Sequence, residues 1–328
     1  PPATLVPYLH INRANALRGL GPARDDEAQA AYAAALQSPD APGGWFVDLG
    51  VLHKWRGRWD AAAEAFGHAR SRLGATRRVL WNQALVATAR GQGAEATAHW
   101  QALGFAAGRP EGAAEGRLPE VDGLPPLRLR VPAKASGFAG QGAPRDAEDR
   151  SYEVVWVAPL TPGHGIVQSP TFEEAPVDYG DVVLWDGAPV AEERVAVPGE
   201  GSRALPVFPL LEILRPGEEK RFRFVAAHEG EDLDGWLTDL LSGLPEGCRA
   251  FAHAGEAAGL AYGKLVVPSA VALGDLRGRL EALLASRRTL RFAIPALYEE
   301  VADAKRAGLE HQGWRGIERR AGVRGGRA

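Results

Sequence analysis

Small and aromatic side chains recur every three or four residues between Gly43 and Thr76, and this spacing constrains the fold more than any other feature. The residues that keep it are Phe46, Leu49, Gly50, His53, Gly57, Trp59, Ala62, Phe66 and Ala69. Side chains at such steps share one face of a helix, so the pattern predicts a first helix over about residues 45–54 and a second that begins at Trp59. Because Gly57 interrupts the pattern, the two helices should pack as a hairpin.

The same spacing returns about 34 residues further along the chain, which indicates repeated hairpins. The matching residues of this copy are Leu80, Ala84, Gly91, Ala96 and Trp100. An earlier copy fits if Gly21 and Pro22 are an insertion, and its residues are Ala14, Leu17, Ala28, Tyr32 and Ala35. Over about residues 7–110 the pattern resembles the tetratricopeptide repeat (TPR) family, and the resemblance implies about three helical hairpins that bind other proteins. An ordinary helical bundle is the alternative.

The resemblance also implies a groove that holds a protein or peptide partner against the first helix of each hairpin. In this chain the lining residues would be Asn12, Val47, Asp48, Val51, Lys54, Trp55, Arg78, Trp81, Asn82, Leu85 and Thr88. Their amide, cationic and indole groups suit an extended peptide that offers a carboxylate or backbone groups. Alternatively, Trp55 and Trp81 pack against the domain that follows.

Composition limits the class of protein. The chain has 328 residues and a net charge of -3, so two or three domains are expected, without general attraction to nucleic acid or anionic membranes. Its one cysteine, Cys248, excludes an internal disulfide framework. No apolar run reaches the roughly 18 residues of a membrane span, and the first residues lack the pattern of a signal peptide. We therefore expect a cytoplasmic protein, and a composition rich in Ala, Gly and Arg without Met indicates a bacterial source.

Changes in composition divide the chain into five segments. They are a TPR-like domain over 1–110, a Pro/Gly-rich linker or arm over 111–148, a β-rich domain over 149–218, an α/β module over 219–310 and a basic, flexible tail over 311–328. Within the linker, the alternation from Leu127 to Val131 is typical of a half-buried strand that joins the sheet after it.

Short β-branched and aromatic runs predict the strands of the β-rich domain at 152–158, 165–169, 181–185 and 190–197. Such spacing favours a small antiparallel sheet or barrel, and Asp186–Pro189 should join the last two strands as a hairpin. In the α/β module, strands at 220–227, 249–253, 265–268 and 289–294 alternate with helices at 233–244 and 273–285. That order is βαββαβ, the ferredoxin-like plan, followed by a third helix over about 297–308. The expected fold class is a multidomain α+β protein.

One cluster of polar residues lies where a strand of the α/β module meets a helix. It contains His228, Glu229, Glu231 and Asp232. Acidic residues of this kind bind hard cations, but they also stabilise a helix N-terminus without any ligand. We expect the second role, and so no metal site, no catalytic residues and no cofactor. His164 lies in a predicted turn, where a histidine is usually solvated.

These observations favour a non-catalytic adaptor or scaffold that holds a protein or peptide partner in the groove and forms homo- or hetero-oligomers through its C-terminal module. The alternatives are a structural subunit of a larger assembly, or an enzyme with a metal or acid/base site near His228. Nucleic-acid binding is not expected, because the predicted first strand of the module carries Phe222 and Phe224 whereas the third carries no aromatic ring.

Overall fold

The computed structural model describes residues 5–133, 152–171, 175–197, 201–227, 233–255, 257, 259–287 and 290–322. The chain forms two units, Pro1–Pro216 and Gly217–Ala328. In the first unit, helices are followed by β-strands, whereas strands and helices alternate in the second. The helical segment and the β-rich segment, which composition separates, therefore belong to one unit.

Six α-helices open the first unit and pack as consecutive pairs. They are α1 (Val6–Gly19), α2 (Asp25–Leu36), α3 (Gly43–Trp55), α4 (Trp59–Leu73), α5 (Arg77–Ala89) and α6 (Gly93–Ala102). Helices α3 and α4 are the two that the spacing predicts. Gly57 lies between them with a φ of +64°, in the left-handed region that glycine adopts at little cost.

Helices α3 and α4 approach closely because a glycine faces an aromatic ring. A Cβ atom at Gly50 would lie 2.5 Å from the ring of Phe66, which is fully buried. Ala62 and Ala69 of α4 are also fully buried. The Phe66 ring thus fills the space that a larger side chain on α3 would need.

The strands of the first unit form a sheet that closes into a barrel of five strands. The strands are β1 (Leu127–Pro132), β2 (Tyr152–Pro159), β3 (His164–Val167), β4 (Val182–Trp185), β5 (Ala191–Val197) and β6 (Gly201–Arg215). The ring runs β1-β2-β3-β4-β6 through antiparallel pairs, and β1 and β6 close it in parallel. In an antiparallel ring with an odd number of strands, the first and last run in the same direction, so the closing pair has to be parallel. Strand β5 pairs with the first half of β6.

The barrel interior is filled by alternate residues of its strands. Buried apolar side chains that pack together there are Leu129, Val131, Val155, Val157, Val167, Val183, Trp185 and Leu210. Leu129 and Val131 come from β1, so the alternating residues of the predicted linker supply part of this core. The barrel is a packed core and not a channel.

The predicted hairpin between 181–185 and 190–197 is wrong. Strand β4 pairs with β3 and β6, whereas β5 pairs with β6. The reason is β6, a strand of 15 residues that reaches both of them. Its Pro206 and Pro209 are typical of connections, so the sequence did not predict this strand.

The second unit contains a four-stranded antiparallel sheet with the order β10-β7-β9-β8. Its elements are β7 (Lys220–Ala227), α7 (Leu233–Gly243), β8 (Arg249–Ala254), β9 (Leu260–Val267), α8 (Leu273–Ser286), β10 (Arg291–Ala293), α9 (Pro295–Glu300) and α10 (Ala304–Arg320). On one face, Phe224 and Leu265 pack with Trp236 of α7 and Leu280 of α8. On the other face, Val225 packs with Trp314 and Ile317 of α10.

The predicted fold class needs correction in this unit, because the sheet is not the two-layer ferredoxin-like module. A ferredoxin-like sheet carries its helices on one face, whereas here α10 covers the second face as well. The predicted third helix over 297–308 is instead divided at Ala302, whose φ is +57°, into α9 and α10. Residues 311–320 lie in α10, so this part of the predicted flexible tail is helical. The sequence did not predict this part of the helix, because its apolar residues Trp314 and Ile317 are surrounded by Arg and Gly.

Candidate protein-binding site

The residues predicted to line the groove fall into a buried group and an accessible group. Val47, Lys54, Asn82, Leu85 and Thr88 are buried. Asp48, Val51, Trp55 and Trp81 are half-buried, whereas Asn12 and Arg78 are exposed. Val47 packs with Phe66 and Val79 in the core of the helices. The groove residues are therefore not equally accessible to a partner.

A loop of the barrel covers the end of α3. The Nζ atom of Lys54 lies 2.8 Å from Oδ2 of Asp186, in an ion pair whose side chains are 3% and 9% exposed. Trp55 donates from Nε1 to the same carboxylate oxygen over 2.8 Å. Lys54 also donates to Oδ1 of Asn82 over 2.8 Å. Lys54, Trp55 and Asn82 of the predicted groove are thus bonded to each other or to the barrel loop.

The Asp186 carboxylate is held in its charged form. Burial by itself would raise its pKa, but the Lys54 ammonium and the hydrogen bonds from Lys54, Trp55 and the backbone of Ala188 keep the pKa below its ordinary value. A carboxylate in apolar surroundings needs such partners. Lys54 and Asp186 consequently depend on each other.

Two glycines let the barrel approach α5. A Cβ atom at Gly187 would lie 2.5 Å from the ring of Trp81, and one at Gly163 would collide with Leu85. Leu85 is fully buried and packs with Leu184 of β4 and Leu211 of β6. Trp55 and Trp81 therefore pack against the barrel, and this part of the groove is covered.

The accessible part of the groove carries five polar side chains. We name them the open polar patch: Asn12, Asn15, Arg18, Asp48 and Arg78. Asp48 is at its centre, because Arg78 lies 3.0 Å from Oδ1, Asn15 donates to Oδ2 over 3.4 Å and Arg18 donates to the backbone oxygen over 2.9 Å. Arg78 is 60% exposed, so its guanidinium has donors left for a partner.

A buried tyrosine supports the patch from below. Tyr32 of α2 is fully buried and donates from its hydroxyl to Oδ1 of Asn15 over 2.6 Å. Burial raises the pKa of Tyr32 to about 12, so the phenol stays protonated and remains a donor. The Asn15 amide is thereby oriented with its Nδ2 towards Asp48.

An apolar strip formed by Leu5, which directly precedes α1, and by Tyr8 and Leu9 of α1 continues from the patch. Leu5, Tyr8 and Leu9 are 50%, 52% and 55% exposed, and with Asn12 they follow the three-and-four spacing of one helix side. Tyr8 packs edge-on against Trp45, with ring centroids 5.1 Å apart. Clustered exposed apolar side chains beside polar groups are typical of surfaces that bind proteins.

Three positions of this candidate site were missed from the sequence. Asn15 and Arg18 follow Asn12 at steps of three, so the helical spacing could have identified them. Asp186 was assigned to a hairpin turn because Asp-Gly favours turns, and nothing local indicates that Lys54 lies beside it.

The candidate metal and catalytic groups of the sequence lie partly outside the described residues. Among the residues that the structure describes, no three His, Cys, Asp or Glu side chains are arranged to hold a metal ion. His228, Glu229, Glu231 and Asp232 lie outside the described residues. His164, expected to be solvated, is 1% exposed, and its Nδ1 lies 2.6 Å from the hydroxyl of Thr161.

No family model matches this sequence, and no curated protein or solved structure is significantly similar to it. In the parts of the chain that are described, none of the helices has the length and apolar character needed to cross a bilayer.

Proposed function

We propose that this chain is a non-catalytic adaptor that holds a protein or peptide partner against its first two helical hairpins and the start of the third, which act as a TPR-like array. The contact surface is the open polar patch together with Leu5, Tyr8 and Leu9. The observation that carries the proposal is Arg78, a 60% exposed guanidinium fixed by Asp48 beside two amide side chains. Preoriented donors of this kind lower the entropy lost on binding.

The charges of the patch indicate the chemistry of the partner. Arg18 and Arg78 outweigh the single carboxylate of Asp48, so the patch favours an anionic group. Asn12 and Asn15 suit backbone amides, and the apolar strip suits one or two large side chains. An extended segment with apolar residues next to a carboxylate meets these requirements. The proposal includes no cofactor and no nucleic acid, and it places the chain in the cytoplasm, with which a single cysteine is compatible.

The other functions have weaker support. In the described part of the second unit, the large apolar side chain that is exposed is Leu309, at 50%, so an extensive oligomer interface is not evident there. Oligomerisation through that unit remains a prediction. An enzymatic or metal site near His228 also remains a prediction, because those residues lie outside the described part of the chain.

A photo-crosslinking experiment tests the proposal. A photoreactive phenylalanine analogue is placed at Tyr8, beside the patch, or at Leu73 of α4, which is also exposed. After irradiation in cells, we expect a discrete crosslinked partner from position 8 and none from position 73. The crosslink should disappear when Arg78→Ala is added and persist with Arg77→Ala, an exposed neighbour on α5. A crosslink that persists in the Arg78→Ala variant would refute binding at the patch.

A further inference from the structure

We propose that Asp186 of the barrel and Trp55 of α3 are positioning residues for the open polar patch, so that docking of the barrel and partner binding at the patch are thermodynamically coupled. The consequence for partner binding rests on the proposed function. The coupling itself can be tested without a partner.

The first step is the bond between the barrel and the indole. Trp55 donates from Nε1 to Oδ2 of Asp186 over 2.8 Å. An indole has a single donor, and a hydrogen bond to a charged acceptor is stronger than one between neutral groups. Because Lys54 holds the same carboxylate oxygen at 2.8 Å, the acceptor is itself fixed. The plane of the Trp55 ring is therefore set by the barrel.

The second step connects this ring to the patch. The Cζ atom of Arg18 lies 5.3 Å from the centroid of the Trp55 ring, within the range of a cation–π interaction. The same guanidinium donates from Nη1 to the backbone oxygen of Asp48 over 2.9 Å. A rotation of the indole would remove the surface on which Arg18 rests, and would change how its remaining donors are presented.

Linkage makes this relationship reciprocal. If the barrel orders Trp55 and thereby Arg18, a ligand that needs Arg18 in this position must in turn favour the docked barrel. The barrel then does more than cover part of the groove, because it also fixes the position of Arg18 in the accessible part. Neither Asp186 nor Trp55 has to touch the partner for this effect.

Double-mutant cycles on the full chain test the coupling. The variants are Arg18→Ala, Asp186→Asn and their combination, and the measured quantity is the unfolding equilibrium constant in urea. We expect the double variant to depart from additivity by threefold or more. The control is Glu212→Gln, which weakens another bond between helices and barrel, that from Trp59 Nε1 over 3.1 Å. It should be additive with Arg18→Ala within twofold.

A spectroscopic measurement separates positioning from general destabilisation. The ring current of Trp55 should shift the Arg18 side-chain proton resonances upfield, and Asp186→Asn should reduce that shift while Glu212→Gln leaves it unchanged. If Asp186→Asn does not fold, Trp55→Phe takes its place, because it keeps an aromatic ring but lacks the donor. Additive cycles together with an unchanged Arg18 resonance would overturn the inference.

The outcome for the inference is distinct from that for the proposed function. If the cycles show coupling but Arg18→Ala does not alter crosslinking at position 8, the coupling stands and the binding site is elsewhere. If crosslinking requires Arg18 but the cycles are additive and the Arg18 resonance is unchanged, the binding site stands and the positioning role of Asp186 is wrong.

Discussion

Lys54 and Asp186 form a buried ion pair, with Nζ and Oδ2 2.8 Å apart, that joins the third helix to a barrel loop far along the sequence. The sequence predicts Lys54 as a cation of the groove and Asp186 as part of a turn. Their pairing changes the expected groove, because it engages Lys54 and the indole nitrogen of Trp55 within the chain, so the proposed recognition falls to the polar side chains nearer α1.

Removing one member of this pair should be strongly destabilising. Lys54→Ala leaves the Asp186 carboxylate buried without its counter-ion, so we expect a loss of about 3–5 kcal/mol in the free energy of unfolding. The double variant Lys54→Met/Asp186→Leu should lose much less, because it buries no isolated charge. Urea denaturation measures both. Arg24→Ala, which breaks an exposed pair with Glu27, should cost less than about 1 kcal/mol.

A methyl group at Gly50 should disturb the contact of α3 with α4. The Cβ of Gly50→Ala would lie 2.5 Å from the fully buried Phe66 ring, so we expect a loss of about 1–3 kcal/mol. Gly67 lies on α4 with no neighbouring atom within 4 Å of a Cβ, so Gly67→Ala should stabilise the helix by about 0.5–1 kcal/mol. Equal effects in thermal or urea unfolding would contradict the close approach at Gly50.

Acid should weaken the first unit partly through His164. Burial lowers its pKa to about 4, whereas the unfolded chain takes up the proton near pH 6.5. Stability from this residue is therefore present above about pH 6.5 and is lost as the pH falls towards 4, by about 3 kcal/mol in total. His53 and His99, whose pKa values are also lowered by burial, act in the same direction.

Unfolding measured from pH 7 to pH 4 tests this assignment. His164→Gln should flatten the pH dependence over this range, even if it lowers stability at pH 7. His68→Gln, which removes a histidine whose side chain is 59% exposed, supplies the control. A slope that survives the His164 substitution would show that other groups carry the acid sensitivity.

Helix α10 should be required for the second unit. Trp314 is 6% exposed and packs with Val225 on the sheet face that α10 covers, so Trp314→Ala should cost about 3–5 kcal/mol. Leu309 lies on the same helix and is 50% exposed, so Leu309→Ala should change stability by less than about 0.5 kcal/mol. Hydrogen exchange of the β7 amides is the second measurement, and it should accelerate only in the Trp314 variant.

What the sequence predicted well depends on local periodicity. The spacing around Gly57 located α3 and α4 and identified Phe66 as a core residue, because helical packing repeats at fixed intervals. The resemblance to the TPR family, and not the spacing itself, placed Asp48 and Arg78 in one groove, and the two side chains form an ion pair. Whether these hairpins belong to the TPR family remains a prediction, since the geometry of three helix pairs does not by itself identify a family.

The features that were missed depend on pairing between distant segments. Pro206 and Pro209 concealed β6, which accepts partners on both sides and so determines where β4 and β5 lie. Helix α10 covers the second face of the sheet through Trp314 and Ile317. The sequence did not predict this helix as part of the core, because these two apolar residues stand among charged neighbours. The closing β1–β6 pair has no local sequence pattern, whereas the covered half of the groove corresponds to the alternative in which Trp55 and Trp81 pack against the domain that follows.

The hydrogen bond from Trp55 to Asp186 spans 131 positions in the chain. During synthesis, the first two hairpins can form while their later partner has not yet been made, because helical contacts are local. Lys54 then has no counter-ion and Trp55 no acceptor until the ribosome has passed residue 186. Over that interval the nascent helices expose the indole and aliphatic surface that the barrel later covers, and the array is completed only when the barrel loop that carries Asp186 has been made.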